Sequence, residues 1–345
     1  MLMGVGAAVL FGASAPLAKL LLGTIDPVML AGLLYLGSGL GMALAKAVQT
    51  VAGRSGSEAS LRRMDFPWLL SALVVGGVAA PIILMLGLGT TPASTAALLL
   101  NFEAVGTVVV ARLMFREAVG RWVWLALALV TVGSAVLSMD GGDGWGLSLG
   151  AVAILAACLL WGLDNNITRN VSARDPVSIV AIKGMGAGLF SVALAYALGR
   201  NFPVVSTALA AMLVGFVCYG LSIALYVRAL RDMGAARTGA LFGTAPFVGA
   251  AMSLLIFHDT LTLGFIASVP LMIVGAVILF KEAHAHTHVH LSEIHEHRHA
   301  HDDGHHDHTH EKSVEGAHSH PHQHEALGHT HSHAPDIHHR HGHEE

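Results

Sequence analysis

The sequence predicts an all-α integral membrane protein: ten transmembrane helices arranged as two inverted five-helix repeats, followed by a disordered C-terminal tail. Three observations carry this reading. Apolar runs recur along the first 282 positions, short motifs return at a fixed spacing, and the composition changes abruptly after Glu282. The 345-residue chain is 54% hydrophobic and only 12% charged, about half the charge of a soluble domain. Residues 1–282 hold 16 Lys/Arg and 12 Asp/Glu, whereas residues 283–345 hold 3 and 11, together with 23 of the 24 histidines. A soluble enzyme, a nucleic-acid binder and a secreted disulfide scaffold all fit such a chain poorly. Cys158 and Cys218 lie inside apolar runs and read as small buried packing residues.

An apolar helix needs about 20 residues to cross a bilayer core of roughly 30 Å. Ten such runs occupy approximately 2–22, 27–47, 66–87, 93–112, 119–139, 146–167, 177–198, 206–227, 236–257 and 262–281. Chain-turning residues separate them at Asp26-Pro27, Asp65-Phe66-Pro67, Thr91-Pro92, Asp140-Gly141-Gly142-Asp143, Asp175-Pro176 and Asn201-Phe202-Pro203. Ala13-Ser14-Ala15 mimics a signal-peptide cleavage site, but no Lys or Arg precedes the first apolar run, so it reads as a retained helix. With the N-terminus in the cytoplasm, 13 Lys/Arg fall in cytoplasmic loops and at the tail junction, against Lys19 and Arg200 opposite. The positive-inside rule therefore predicts a multi-pass protein of the cytoplasmic (inner) membrane with both ends cytoplasmic.

The body also reads as a duplication, with one repeat over 1–140 and the other over 141–282. Phe11-Gly12 and Asp26-Pro27 return as Trp161-Gly162 and Asp175-Pro176. Gly37-Ser38-Gly39-Leu40 returns as Gly186-Ala187-Gly188-Leu189. Phe115-Arg116-Glu117 and Val132-Gly133 return as Phe257-His258-Asp259 and Val274-Gly275, both at an offset of 142 residues. Five spans per repeat is an odd number, so the copies are inverted, an architecture of secondary transporters with a solute site between the halves.

These elements, with Leu98-Leu99-Leu100-Asn101-Phe102-Glu103 in the fourth span and Ala245-Pro246 in the ninth, make the body similar to the drug/metabolite transporter superfamily, specifically its EamA-type branch. The resemblance covers residues 1–282 and none of the tail. It implies a secondary permease or exporter of a small solute. The family pattern often has Glu-Pro in the fourth span, where this chain has Glu103-Ala104.

Polar groups inside a span are costly, about 2.5–3.5 kcal/mol for a central charge, so each one asks for a reason. Glu103 stands near the middle of the fourth span and is a candidate for solute binding and proton uptake, or for pairing with Lys19. Asp164, Asn165 and Asn166 are consecutive in the sixth span and fan over about 200° of the helix, so at least one faces a cavity or another helix. Lys183 lies at a depth where Asp164 can pair with it, either as a structural lock or as part of a solute site. Trp161 joins these as a candidate substrate-binding residue, and Tyr35, Tyr219 and Tyr226 as pocket-lining aromatics. In the repeat alignment Asn165 matches Ala15 and Arg169 matches Lys19.

The tail, 283–345, cannot bury a core and reads as disordered. Its histidines alternate as His-x-His. His284, His286, His288 and His290 form the first cluster, and His295, His297, His299 and His301 the second. His305, His306, His308 and His310 follow, then His318, His320, His322 and His324, then His329, His331 and His333. Close imidazoles on a flexible chain bind divalent ions, so several Zn, Ni, Co or Cu ions are expected here, with no cofactor required elsewhere.

No catalytic constellation is visible, so no enzyme is expected. The first function expected is solute permeation with a metal-binding tail. The second is divalent-cation (Zn, Ni or Co) transport with the tail as collector or gate, and the third a non-transporting metal sensor. The partners expected are a small-molecule or ion substrate and the lipid bilayer, with no nucleic acid and with homodimerisation left open.

Overall fold

A computed structural model of the chain describes residues 1–51, 59–115, 119–139, 148–171, 174–233, 241–281, 284–289, 293–299, 318–324 and 328–333. Eight of its helices are long and apolar enough to cross a membrane: α1 (Leu2–Leu22), α2 (Pro27–Val51), α3 (Arg63–Thr90), α4 (Ala93–Met114), α5 (Arg121–Met139), α6 (Leu149–Val171), α7 (Pro176–Ala197) and α8 (Val205–Ala229). Two shorter apolar helices follow, α9 (Ala245–Phe257) and α10 (Leu263–Leu279). Leu44, Leu113, Leu209, Leu255 and Leu263 stand exposed on the outside of the bundle. A surface this apolar is solvated by lipid tails, and the protein is a multi-pass membrane protein.

The sequence expects the ninth span over 236–257. Residues 236–240 lie outside the described residues; helix at Leu241-Phe242 gives way to a turn at Gly243-Thr244, and α9 runs from Ala245 with Pro246, which lacks an N–H, in its first turn. The loop Asp140-Gly141-Gly142-Asp143, where the repeats meet, lies outside the described residues, as do Arg116 and Glu117.

Contacts between helices respect the duplication. Helix α1 packs on α8 and α9, and its counterpart α6 packs on α3 and α4. Likewise α2 meets α8 while α7 meets α3, and α2–α7, α5–α10 and α4–α9 pair with each other. The α2–α7 pair is antiparallel: Gly32 faces Val192, Leu36 faces Gly188 and Gly39 faces Gly184. Small residues let these backbones approach closely, as membrane helices do where no hydrophobic drive exists between them. The repeated aromatic-Gly elements do the same work in each half. Gly12 lies against the backbone of Ala245 and Gly249, and Gly162 against Gly106 and Thr107.

Both ends of the α2–α7 pair are tied by charge. Asp26 caps α2 through Val28 N–H (3.0 Å) and pairs with Arg200 Nε (3.2 Å) beyond the end of α7. Asp175 caps α7 through the N–H groups of Val177 and Ser178 (both 3.2 Å) and pairs with Lys46 Nζ (2.7 Å) near the end of α2. Carboxylates at helix starts and cations at helix ends both suit the helix dipole. Beside Asp175, Arg174 Nε pairs with Asp65 Oδ2 at 2.9 Å.

Among the described residues two helices contain a π-helical turn, Leu73–Ala79 in α3 and Gly215–Leu221 in α8. The two are 142 residues apart, the offset read from the motifs downstream. The tail, expected to lack regular structure, runs in its described residues as two antiparallel strand pairs. These are β1 (His284–Val289) with β4 (Gly328–His333), and β2 (Glu293–His299) with β3 (His318–His324). Alternation of His with small or polar residues has the two-residue period of a strand. His290, His301, His305, His306, His308 and His310 lie outside the described residues.

Candidate functional site

Glu103 owes its position to a break in α4. The helical ladder is interrupted at Leu100-Asn101, and the second half-helix starts at Phe102. No proline is needed for the break: Asn101 Nδ2 donates to Leu98 O (2.9 Å), answering a carbonyl at the end of the first half-helix. Glu103 therefore sits in the first turn of a half-helix, the end at which the helix dipole favours a carboxylate. Its Oε1 accepts a hydrogen bond from Asn165 Nδ2 of α6 at 2.9 Å, and the same amide donates to Thr107 Oγ1 at 3.1 Å. Thr107 Oγ1 in turn donates to the Glu103 carbonyl (2.9 Å).

The neighbouring residues divide the other roles. Asn166 is buried and donates to Thr107 O (3.0 Å) and Gly162 O (2.8 Å), fixing α6 to α4 where their backbones are closest. Asp164 is buried and accepts from Lys183 Nζ of α7 through both oxygens, each at 2.8 Å, with Thr168 Oγ1 donating to Oδ1 at 3.0 Å. A buried carboxylate with a two-oxygen ion pair and a hydroxyl donor is fully answered. Trp161 Nε1 (3.0 Å) and Tyr35 Oη (2.8 Å) both donate to Gly76 O, in the π turn of α3. Tyr35 continues into a line of aromatics, with Tyr35–Tyr219 centroids at 6.0 Å, Tyr219–Phe11 at 6.0 Å, Phe11–Phe242 at 5.1 Å and Phe242–Tyr226 at 4.7 Å.

Six of the seven sequence-predicted residues of the body therefore lie in three adjoining hydrogen-bonded groups: Glu103 with Asn165 and Asn166, Asp164 with Lys183, and Trp161 at Gly76, against which Asp164 packs. Lys19 stands apart. Its ammonium donates to the carbonyls of Leu88 (2.5 Å), Gly89 (3.0 Å) and Thr91 (2.9 Å), closing the C-terminal end of α3 rather than pairing with Glu103. Among the described residues no group of three or more His, Cys, Asp or Glu is placed to hold a metal ion. The tail histidines His284, His286, His288, His295, His297, His299, His318, His320, His322, His324, His329, His331 and His333 lie on the strand backbones. Sequence reasoning missed Gly76, Thr107 and Thr168. Thr107 and Thr168 stand one turn beyond Glu103 and Asp164, and that four-residue spacing was a usable signal.

Comparison with known proteins agrees with this architecture. The model of the EamA-like transporter family matches residues 1–139 and again 148–281. An uncharacterized transporter of Methanothermobacter thermautotrophicus is 29% identical over 287 residues, covering 79% of this chain and 84% of the relative. A protein of known crystal structure shares the fold at a TM-score of 0.57 and 19% identity, over 81% of this chain and 95% of the other. With two family matches that fall on the two five-helix halves, the chain belongs to the EamA-like transporter family.

Proposed function

We propose that the chain is a secondary active permease that moves a small solute across the cytoplasmic membrane by alternating access, with both termini in the cytoplasm. The observation that carries this reading is the Glu103–Asn165 hydrogen bond (2.9 Å), which joins α4 of the first repeat to α6 of the second. A carboxylate at the junction of two inverted halves can bind a solute or a proton, and a swing of one half against the other changes the side to which it is open. Asn165 is exposed although it sits within α6, so water and solute have a route to the pair. The His-x-His tail binds divalent metal on the cytoplasmic side, as a buffer or sensor.

A second reading makes the divalent cation itself the cargo, collected by the tail; the 23 tail histidines favour it. Elemental analysis separates the two. Cells expressing the full chain, a 1–282 truncation and Glu103→Gln are challenged in turn with Zn, Ni, Co and Cu. Solute permeation predicts that truncation removes bound metal while Glu103→Gln leaves metal content unchanged. A metal content that shifts with the full chain and returns to baseline in Glu103→Gln makes metal the cargo. Import against export follows from the sign of that shift.

A further inference from the structure

The π turn of α3 frees one backbone carbonyl. Within it the ladder runs from residue i to i+5, as the Ala80 N–H to Val75 O bond shows. The next carbonyl, Gly76 O, would be answered by the N–H of residue 81, but this is Pro81, which has none. A carbonyl without a main-chain partner at this depth must be met from outside the helix, and the Tyr35 hydroxyl and the Trp161 indole meet it. In α8 the counterpart of Pro81 is Ile223, and the counterpart carbonyl, Cys218 O, accepts from Ser222 Oγ (2.6 Å) of its own helix. The α3 carbonyl is thus met by side chains of other spans, and the α8 carbonyl by one of its own helix.

The charge around it is unbalanced. Asp164, packed against Gly76, is neutralised by Lys183. Its chain neighbour Asn165 holds one oxygen of Glu103; the other, Oε2, has no hydrogen-bond partner among the described residues. The site thus presents one unmatched carboxylate and one backbone acceptor, and the Tyr35 side chain that meets this acceptor continues through its ring to Tyr219 and Phe11. A divalent ion would find too few oxygens here to replace its water. An anion would meet Glu103 uncompensated. A protonated amine carrying an apolar group answers all three features, since its charge suits the carboxylate, its N–H groups suit both acceptors, and aromatic faces attract cations.

Resting on the reading of Glu103–Asn165 as the solute site, we infer that the solute is an organic cation of the protonated-amine class, bound by Glu103 and the Gly76 carbonyl. The ammonium takes the place of the Tyr35 hydroxyl at Gly76, and the apolar part lies on Tyr219 and Phe11.

Calorimetric titration of the purified full-length protein in detergent tests this with three probes of one shape and different charge: phenethylammonium, 2-phenylethanol and 3-phenylpropionate. Phenethylammonium is expected to bind about tenfold or more tighter than the other two, and Glu103→Gln to abolish that preference. Tyr219→Leu is expected to weaken phenethylammonium binding, and Tyr35→Phe, which uncovers Gly76 O, to strengthen it. Should Glu103→Gln fail to fold, the gain in Tyr35→Phe decides. Equal or tighter binding of the alcohol or the carboxylate, still sensitive to Tyr219→Leu, overturns the substrate class and leaves the site standing. Binding of no probe also overturns the class. Binding indifferent to Glu103→Gln, Tyr35→Phe and Tyr219→Leu alike overturns the site itself.

Discussion

An aspartate is tolerated inside an apolar helix only when something answers its charge, and Asp164 shows what that takes. Lys183 covers both oxygens and Thr168 adds a hydroxyl, with the ion-pair side chains 10% and 14% exposed. Removing one partner leaves the other charged and buried. Lys183→Met and Asp164→Ala are each expected to lower stability by about 3–5 kcal/mol, read as a fall in melting temperature in detergent, and the double variant to recover much of the loss. A transport defect without a melting shift in the single variants would make the pair a solute contact instead. Glu103, Asp164, Asn165 and Lys183 were legible in the sequence because a polar residue in an apolar run is rare and needs a partner. Gly76 was not legible: its contribution is a backbone oxygen, and that oxygen matters only once α2 and α6 are folded against α3. The same holds for Lys19, whose three partners are carbonyls of a helix end about 70 residues away.

Whole elements respond to small changes at their ends and bends. Burial alone would raise the Asp175 carboxyl, but its hydrogen bonds from Lys46, Ser178 and the Val177 N–H outweigh that and hold it below the usual carboxylate range. A carboxyl lowered on folding stabilises the fold at pH above its unfolded value, and that stabilisation is lost as pH falls through the lowered folded value. Melting curves from neutral to strongly acid pH are therefore expected to show Asp175→Asn below wild type at neutral pH, with the gap closing in acid. The π turn of α3 gives a second test. Pro81→Ala restores an N–H that can answer Gly76 O, so Tyr35→Phe is expected to cost less in the Pro81→Ala background than alone. The coupling between the two sites should be of order 0.5–3 kcal/mol in a melting double-mutant cycle. Helix positions were readable because Asp-Pro and Gly-rich breaks punctuate long apolar runs. The break of α4 was harder, since Asn101 makes it without proline.

Across the whole molecule the scaffold is two-fold and the chemistry is not. Glu103, Asp164, Asn165 and Lys183 stand where the other repeat has Ala245, Ser14, Ala15 and Leu34. A duplicated body thus gathers these charged and amide side chains in one half of the repeat pairs, the counterpart positions being alanine, serine and leucine. The tail, beyond both family matches, is expected to be thermodynamically separate. A 1–282 truncation is expected to melt with the full chain and to carry less zinc than it, measured by atomic absorption after dialysis against zinc. A lower melting temperature for the truncation would mean that the tail packs on the body.

The paired π turns also date themselves. Each inserts an extra residue into the helical ladder, and an insertion gained by one half alone would set the two halves out of step. Leu73–Ala79 and Gly215–Leu221 remain in step with the motifs that follow them. One insertion in an ancestral half, carried through the doubling of the chain, accounts for both turns at once. Its partners then diverged, to Tyr35 and Trp161 on one side and to Ser222 on the other. What descent has preserved is the deformation of the backbone, while the side chains that answer it were free to change.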